Sequence, residues 1–360
     1  MVLTIITFIL VLGILIIFHE LGHFIAAKRA GVLVEEFAFG FPPRIWSKKI
    51  GETRYVINAI PIGGYVKMLG ELEKSEHKRA FENQSRFARF MISVAGVLAN
   101  IILAWVILTI GFIAGMAPLV SSPDAIPGKK ISTEIVVAEV VKDSPAEKAG
   151  VEQGGTISNA TSPEGAVNFT SLNQFSKFTS THRGETVTFD YKKGDVESKK
   201  EITLSKDQEA SLGVLAIEHS IVKVPWYKAP YVALRETFKI TELTFNFLKD
   251  FFIKLFSSGK VAEGVGGPVA IYVMTGAVVK IGFMAILQFI AILSVNLALI
   301  NILPFPALDG GRILFIILET IARKKIIKEK VEQIIHTVGF ALLILLIVLI
   351  TYKDVVNLFK

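Results

Sequence analysis

Four long apolar runs, at residues 2–27, 90–117, 281–303 and 334–352, stand out from a sequence otherwise mixed in polarity. A helix rises 1.5 Å per residue, so about 20 apolar residues cross a hydrocarbon layer of about 30 Å. Each run is near or above that length and predicts a transmembrane helix. Between the second and third lies a polar stretch of roughly 160 residues, room for one soluble domain and connecting helices. There the pattern changes. From Glu134, Ile-Val-Val-Ala-Glu-Val-Val reads as a strand, Ser144-Pro145 as a helix start and Gly150 as a helix stop. Further strands are expected at 186–192 and 198–204, with a helix near 171–179, so this module is β-rich. Within 52–71, Tyr55, Ile57 and Ala59 alternate, Gly63-Gly64 bends the chain, and Tyr65 and Val66 follow, which predicts a short hairpin. Residues 226–256 set Phe238, Leu243, Phe245, Phe247, Leu248, Phe251, Phe252 and Phe256 among lysines and glutamates. That spacing suits an amphipathic helix on a membrane surface, or one packed on the β-rich module.

Composition sharpens this. A chain of 360 residues that is 52% hydrophobic, with mean hydropathy +0.54, is too apolar for an ordinary soluble protein. The first run has no basic segment ahead of it and no small-residue cleavage site, so it reads as a retained membrane helix. The net charge of +7 is unevenly spread. Lys28, Arg29, Arg44, Lys48, Lys49 and Arg54 fall between the first two runs, as do Lys67, Lys74, Lys78, Arg79, Arg86 and Arg89. Arg312, Arg323, Lys324, Lys325, Lys328 and Lys330 follow the third. Basic loops stay in the cytoplasm, so both termini and residues 118–280 are expected to face outward. Orientation explains the charge, and no nucleic-acid partner is needed. With no cysteine, disulfides and thiolate metal sites are excluded. The expected fold class is a polytopic α-helical membrane protein with a membrane-associated β-hairpin and an inserted β-rich domain. Its divisions are 1–117, the first membrane half; 130–222, the extracytoplasmic domain; 223–280, an amphipathic surface linker; and 281–360, the second membrane half.

The candidate chemistry lies inside the first run. His19-Glu20-Leu21-Gly22-His23 is an HExxH sequence, which on a helix puts two imidazoles on one face, able to share Zn²⁺, with Glu20 beside them to take a proton from water. At this composition a chance match has odds of roughly one in 150. An accidental match would also leave an unpaired carboxylate in lipid, at about 3 kcal/mol. Counting from Lys28, His19 lies ~13 Å below the cytoplasmic boundary, within the membrane. A catalytic zinc usually takes three protein ligands. Asn301-Ile-Leu-Pro-Phe-Pro-Ala-Leu-Asp309-Gly-Gly offers the third: Pro304 and Pro306 break the helix, Gly310 and Gly311 permit a tight turn, and Asp309 can be aimed back at the histidines. Alone, such a run also marks an ordinary turn at a helix end.

HELGH in the first span paired with NxxPxPxLDGG in a late one resembles the site-2 protease family (M50), the intramembrane zinc metalloproteases. Gly96-Val-Leu-Ala-Asn100 is similar to the family's GxxxN, Gly40-Phe-Pro-Pro43 to its GFGP-like segment, Gly63-Gly-Tyr-Val-Lys-Met68 to its membrane-reentrant β-loop, and Gly266-Gly267-Pro268 to its GGP. The likeness covers essentially the whole chain and is nearest to the bacterial sigma-factor-regulator group with a single PDZ domain. It implies His19, His23 and Asp309 as zinc ligands and Glu20 as general base. Asn296, Asn301, Pro304, Gly63 and Gly64 are implied as substrate-binding residues, the glycines on a strand edge that holds unwound substrate. Asn100 is expected to pack against the metal helix. His336, alone at the start of the fourth run, is expected to pack rather than to ligate. The β-rich module would be the PDZ domain, although Gly154-Gly155-Thr156-Ile157 stands where the family has GD-(V/I)-I.

The function implied is cleavage of the transmembrane segments of single-span membrane proteins after an earlier extracytoplasmic cut. An anti-sigma factor or remnant signal peptides would be the substrate, and the PDZ a size filter. The alternative is a non-catalytic membrane scaffold presenting partners through the PDZ. Intact His19, Glu20, His23 and Asp309 argue against it, and clustering of the ionisable residues at one site argues against a transporter.

Overall fold

The computed structural model describes all residues except 72–74, 195, 207–210, 259–265, 325–328 and 359–360. In chain order the elements are α1 (Val2–Arg29), β1 (Val34–Ile50), β2 (Thr53–Met68), α2 (Arg86–Ala114), β3 (Lys129–Val140), α3 (Pro145–Lys148), β4 (Thr156–Ser162), β5 (Gly165–Asn168) and α4 (Leu172–Thr181). Then come β6 (Thr186–Lys193), β7 (Val196–Thr203), β8 (Val214–Lys223), α5 (Ala229–Ser258), α6 (Pro268–Ile281), α7 (Phe283–Asn301), α8 (Asp309–Ala322) and α9 (Glu329–Leu358). They form two units, Met1–Ile110 with Ala233–Lys360, and Gly111–Val232.

Among the described residues, α1, α2, α7 and residues Gln333–Val356 of α9 are long and apolar enough to cross a membrane. They correspond in order to the four apolar runs, and the protein is a multi-pass membrane protein carrying a β-rich domain. The stretch 223–280, expected as one amphipathic linker, holds two helices of different character. α5 buries Val232, Ala233, Thr237 and Ile240 and exposes Phe238, Leu243, Phe245 and Phe247. α6 is a 14-residue apolar helix, packed on α1 and α7. Gly282 separates α6 from α7 with φ +126, a region that favours glycine.

In the first unit α1 crosses α2 through small residues, which allow backbones to approach closely. A Cβ added at Gly22 would lie 2.3 Å from the Ala95 carbonyl oxygen. The hairpin expected within 52–71 is not formed by those residues alone. β1 and β2 turn at Gly51-Glu52, and the two arms of β2 on either side of the Gly63 bend flank the first arm of β1 rather than each other. Phe37 pairs with both Val66 and Tyr55, and Phe39 with both Gly64 and Ile57. The bend at Gly63, with φ +93, lies inside β2. Ala27, Val32, Val34, Val66, Met68, Phe81 and Ile92 share one apolar core and hold this sheet on α1 and α2.

The second unit is an antiparallel sheet in the order β7-β6-β4-β3-β8, with β5 paired to β4. Ile135, Val137, Ile157, Phe169, Phe175, Phe178 and Phe189 fill its core. The Ser144 hydroxyl accepts from Glu147 N and that of Ser171 from Gln174 N, each at 3.2 Å, the caps that start α3 and α4. Gly154 takes φ +78, and a Cβ at Gly155 would lie 2.2 Å from the Tyr191 hydroxyl. The turn at this departure from the family pattern is therefore kept by its glycines.

Candidate metal centre

α1 carries His19 and His23 one turn apart on its buried face, their Nε2 atoms 3.3 Å from each other. Asp309 Oδ2 lies 3.1 Å from His19 Nε2 and 3.2 Å from His23 Nε2. The three donors thus form a nearly equilateral triangle. Zinc bound at about 2.0–2.1 Å in tetrahedral geometry sets its ligands about 3.3 Å apart, so the triangle has the size such an ion requires. Asp309 Oδ2 is buried and has no hydrogen-bond partner, a costly condition that a cation between the three groups relieves. Among the described residues this is the only group of three or more metal-binding side chains.

Chain geometry aims Asp309. α7 ends at Asn301, the backbone folds through 302–308, and Asp309 enters the first turn of α8. Added Cβ atoms would lie 2.1 Å from Leu303 O at Gly310 and 2.5 Å from Phe305 O at Gly311, so only glycines let the turn close this tightly. Ala307 takes φ +79, unusual for a residue with a Cβ. Its N–H donates to His336 Nδ1 at 3.2 Å, and Gly339 lies against Pro306. His336 therefore braces the ligand loop, a role its sequence position does not reveal.

The imidazoles are oriented from behind. His23 Nδ1–H donates to Ile92 O at 2.8 Å, which leaves the Nε2 lone pair for a metal. The Asn100 amide lies 3.5 Å from His19 Nδ1, Nδ2 foremost, with Oδ1 buried and unpartnered. Turning the amide by 180° lets Oδ1 accept from His19 Nδ1–H and frees the His19 Nε2 lone pair as well. Ser294 Oγ donates to the Asn100 carbonyl at 2.8 Å and ties α7 to this support.

A cavity of about 400 Å³ opens on the triangle, lined among others by Glu20, Gly63, Gly64 and Asn301. The Asn301 amide Nδ2 is 3.3 Å from His19 Nε2. A Cβ at Gly64 would lie 3.1 Å from Glu20 Cγ, so the glycine brings the β2 backbone against the carboxylate side chain. Pro304 is outside the lining. So is Asn296, whose Oδ1 accepts from Thr244 Oγ1 at 2.9 Å and ties α7 to α5. Glu71 and Arg312, which no motif singles out, are both in the lining and ion-paired at 2.5 Å, with Glu71 also accepting from Met68 N at 3.2 Å. Arg312 is one turn beyond Asp309 in α8, and that spacing was the available signal. Arg89 on α2 and Glu319 on α8 form a second ion pair.

Two imidazoles from an HExxH motif on a membrane-spanning helix and a carboxylate from the first turn of another helix are the parts of a membrane metallopeptidase. The model of Peptidase family M50 matches residues 7–346, and the chain belongs to that family. A protein of Clostridium acetobutylicum to which zinc metalloprotease activity is ascribed is 35% identical over 360 residues, covering 97% of this chain and 96% of that one. The zinc metalloprotease RasP of Oceanobacillus iheyensis is 30% identical over 453 residues, covering 99% of each. A local likeness to the PDZ domain of an SdrC-like protein of Listeria monocytogenes, at 23% identity and TM-score 0.20, covers 23% of this chain and 86% of that one.

Proposed function

We propose that this metalloprotease cleaves the transmembrane segments of single-span membrane proteins after an earlier extracytoplasmic cut. An anti-sigma factor or remnant signal peptides have the required form. The observation that carries the reading is the donor triangle with sides of 3.1 to 3.3 Å, drawn in part from a membrane helix and bordered by Glu20. The metal is zinc, as in the names of the relatives, with His19, His23 and Asp309 as its ligands. Bound there, zinc supplies a Lewis acid to a peptide carbonyl and to water.

The other steps belong to the chain. A helical peptide bond is shielded by its own hydrogen bonds, so substrate must be extended first. The Gly63-Gly64 arm of β2 borders the cavity and offers a backbone edge for strand addition. Asn301 donates from its amide to the scissile carbonyl oxygen, where negative charge develops. Glu20 takes a proton as water adds to the carbonyl carbon. It delivers that proton to the leaving nitrogen as the C–N bond breaks, giving a carboxylic acid and an amine, between which the acid's proton then passes to leave a carboxylate and an ammonium. The second unit acts as a PDZ-type size filter on the extracytoplasmic side of a bacterial inner membrane, the side opposite the basic loops.

Asp309→Ala tests the metal assignment. Purified variant should hold far less than one zinc per chain by elemental analysis and cut nothing, and a variant keeping its zinc would remove Asp309 from the ligand set. Deleting residues 130–222 tests the filter. Cleavage of substrates with bulky outer domains should rise, whereas a fall would make the unit a recruiter.

A further inference from the structure

We propose a second binding site, unrelated to catalysis, in which the second unit holds an anionic phospholipid by its headgroup phosphate. A groove of about 900 Å³ has Ile113, Val224 and Trp226 among its apolar walls and Lys129, Lys223 and Lys228 among its polar ones. The lysines are exposed and anomalous. Lys129 stands directly opposite Lys223 in the β3–β8 ladder, a like-charge pairing that disfavours the sheet. Neighbouring Lys130 is neutralised by Asp124 at 2.8 Å and Glu218 at 2.6 Å. Among the described residues, Lys129, Lys223 and Lys228 have no such carboxylate partner. The fold concentrates positive charge here and supplies no anion for it.

Depth selects the anion. Ile113 belongs to the last turn of α2, a membrane-spanning helix, so the groove begins where that helix leaves the hydrocarbon. Its level is fixed by hydrogen bonds, since Val224 N donates to Phe112 O at 2.8 Å and Met116 and Val222 exchange bonds at 3.1 and 3.2 Å. Trp226 and Tyr227, 75% and 63% exposed, stand edge to face at 5.9 Å on the rim. Exposed Trp and Tyr side chains partition to the headgroup layer. Lysines at that level meet phosphates, and an apolar wall beside them accommodates the upper part of an acyl chain. A lipid with net negative charge satisfies both faces of the groove, whereas a zwitterionic one brings its own cation to the lysines.

The test uses the full-length chain in mixed phosphatidylglycerol and phosphatidylcholine micelles, with retained lipid counted by native mass spectrometry. Wild type is expected to retain phosphatidylglycerol in preference. Lys129→Gln/Lys223→Gln/Lys228→Gln should lose that preference, by roughly five-fold for each lysine removed. The corresponding triple arginine variant should keep it, which separates lost charge from lost folding. Equal retention of both lipids by wild type overturns the proposal, as does a glutamine triple that is folded by circular dichroism and binds phosphatidylglycerol like wild type. Competition of the retained lipid by millimolar inorganic phosphate would also overturn it, by making the site one for the free anion.

Discussion

A methyl group at position 96 would occupy space that two imidazoles need. The added Cβ would lie 2.3 Å from His23 Nε2 and 2.7 Å from His19 Cε1, the atoms facing the metal position. Gly96→Ala should therefore leave the purified protein without zinc and without activity while the helices still form, as read by elemental analysis and circular dichroism. Zinc at wild-type stoichiometry would contradict this. The residues behind the ligands predict smaller effects. Asn100→Ala removes the only described partner of His19 Nδ1, and zinc affinity should fall about 10–100-fold in chelator competition. His336→Ala removes the acceptor of the Ala307 N–H and should lower affinity in the same direction, because Asp309 follows that turn. The three donors that come together, His19, His23 and Asp309, were legible in the sequence because HExxH and PxPxxDGG each carry a backbone reason for their spacing. The brace from His336 was not, since its partner is a main-chain N–H 29 residues away and no side-chain pattern encodes it.

Between elements, ion pairs fix the parts that the motifs leave open. Arg312 on α8 and Glu71 just after β2 join the ligand-bearing helix to the sheet arm that borders the cavity. Arg312→Gln should lower kcat about ten-fold with zinc retained, since it loosens positioning and leaves the ligands alone. Unchanged turnover would make the pair structural only. In the second unit the Glu218 carboxyl is pushed up by burial, but Lys130, the Ser220 hydroxyl and Leu172 N–H outweigh this and hold it below its ordinary value of 4.5. A carboxyl whose folded pKa is depressed adds stability at pH above the unfolded value, and this is lost as pH falls through the folded one. Amide exchange in β3 and β8 should speed up as pH drops below 4.5, beyond its intrinsic pH dependence, and Glu218→Gln should flatten that response. The strands and helices of this unit were readable from alternation and from the Ser caps. The doubling of β1 and β2 was not, because pairing of Phe37 with both Tyr55 and Val66 needs bends at Gly40 and Gly63 that a period of two does not register.

For the whole molecule, four apolar runs give the four candidate spans found among the described residues, because lipid imposes a length on any helix that crosses it, and their flanking charge gives the orientation we propose. What they do not give is α6, too short to span yet apolar and packed on α1. The chain has no cysteine, so single introduced ones report sidedness cleanly. A cysteine at Lys78 should be labelled by an impermeant maleimide only after the cytoplasmic face is opened, and one at Lys199 from outside. The reverse pattern would invert the topology. The central claim, that Glu20 is the base of a zinc centre cutting within the membrane, is tested most directly with the full-length chain in detergent. Glu20→Gln and wild type are compared on a single-span substrate, with the cut located by mass spectrometry and zinc measured on both proteins. Wild type should cut inside the span, and the variant should keep its zinc but cut about 10³-fold more slowly. Equal cleavage by the two proteins, or cuts confined to residues outside the span, would contradict it.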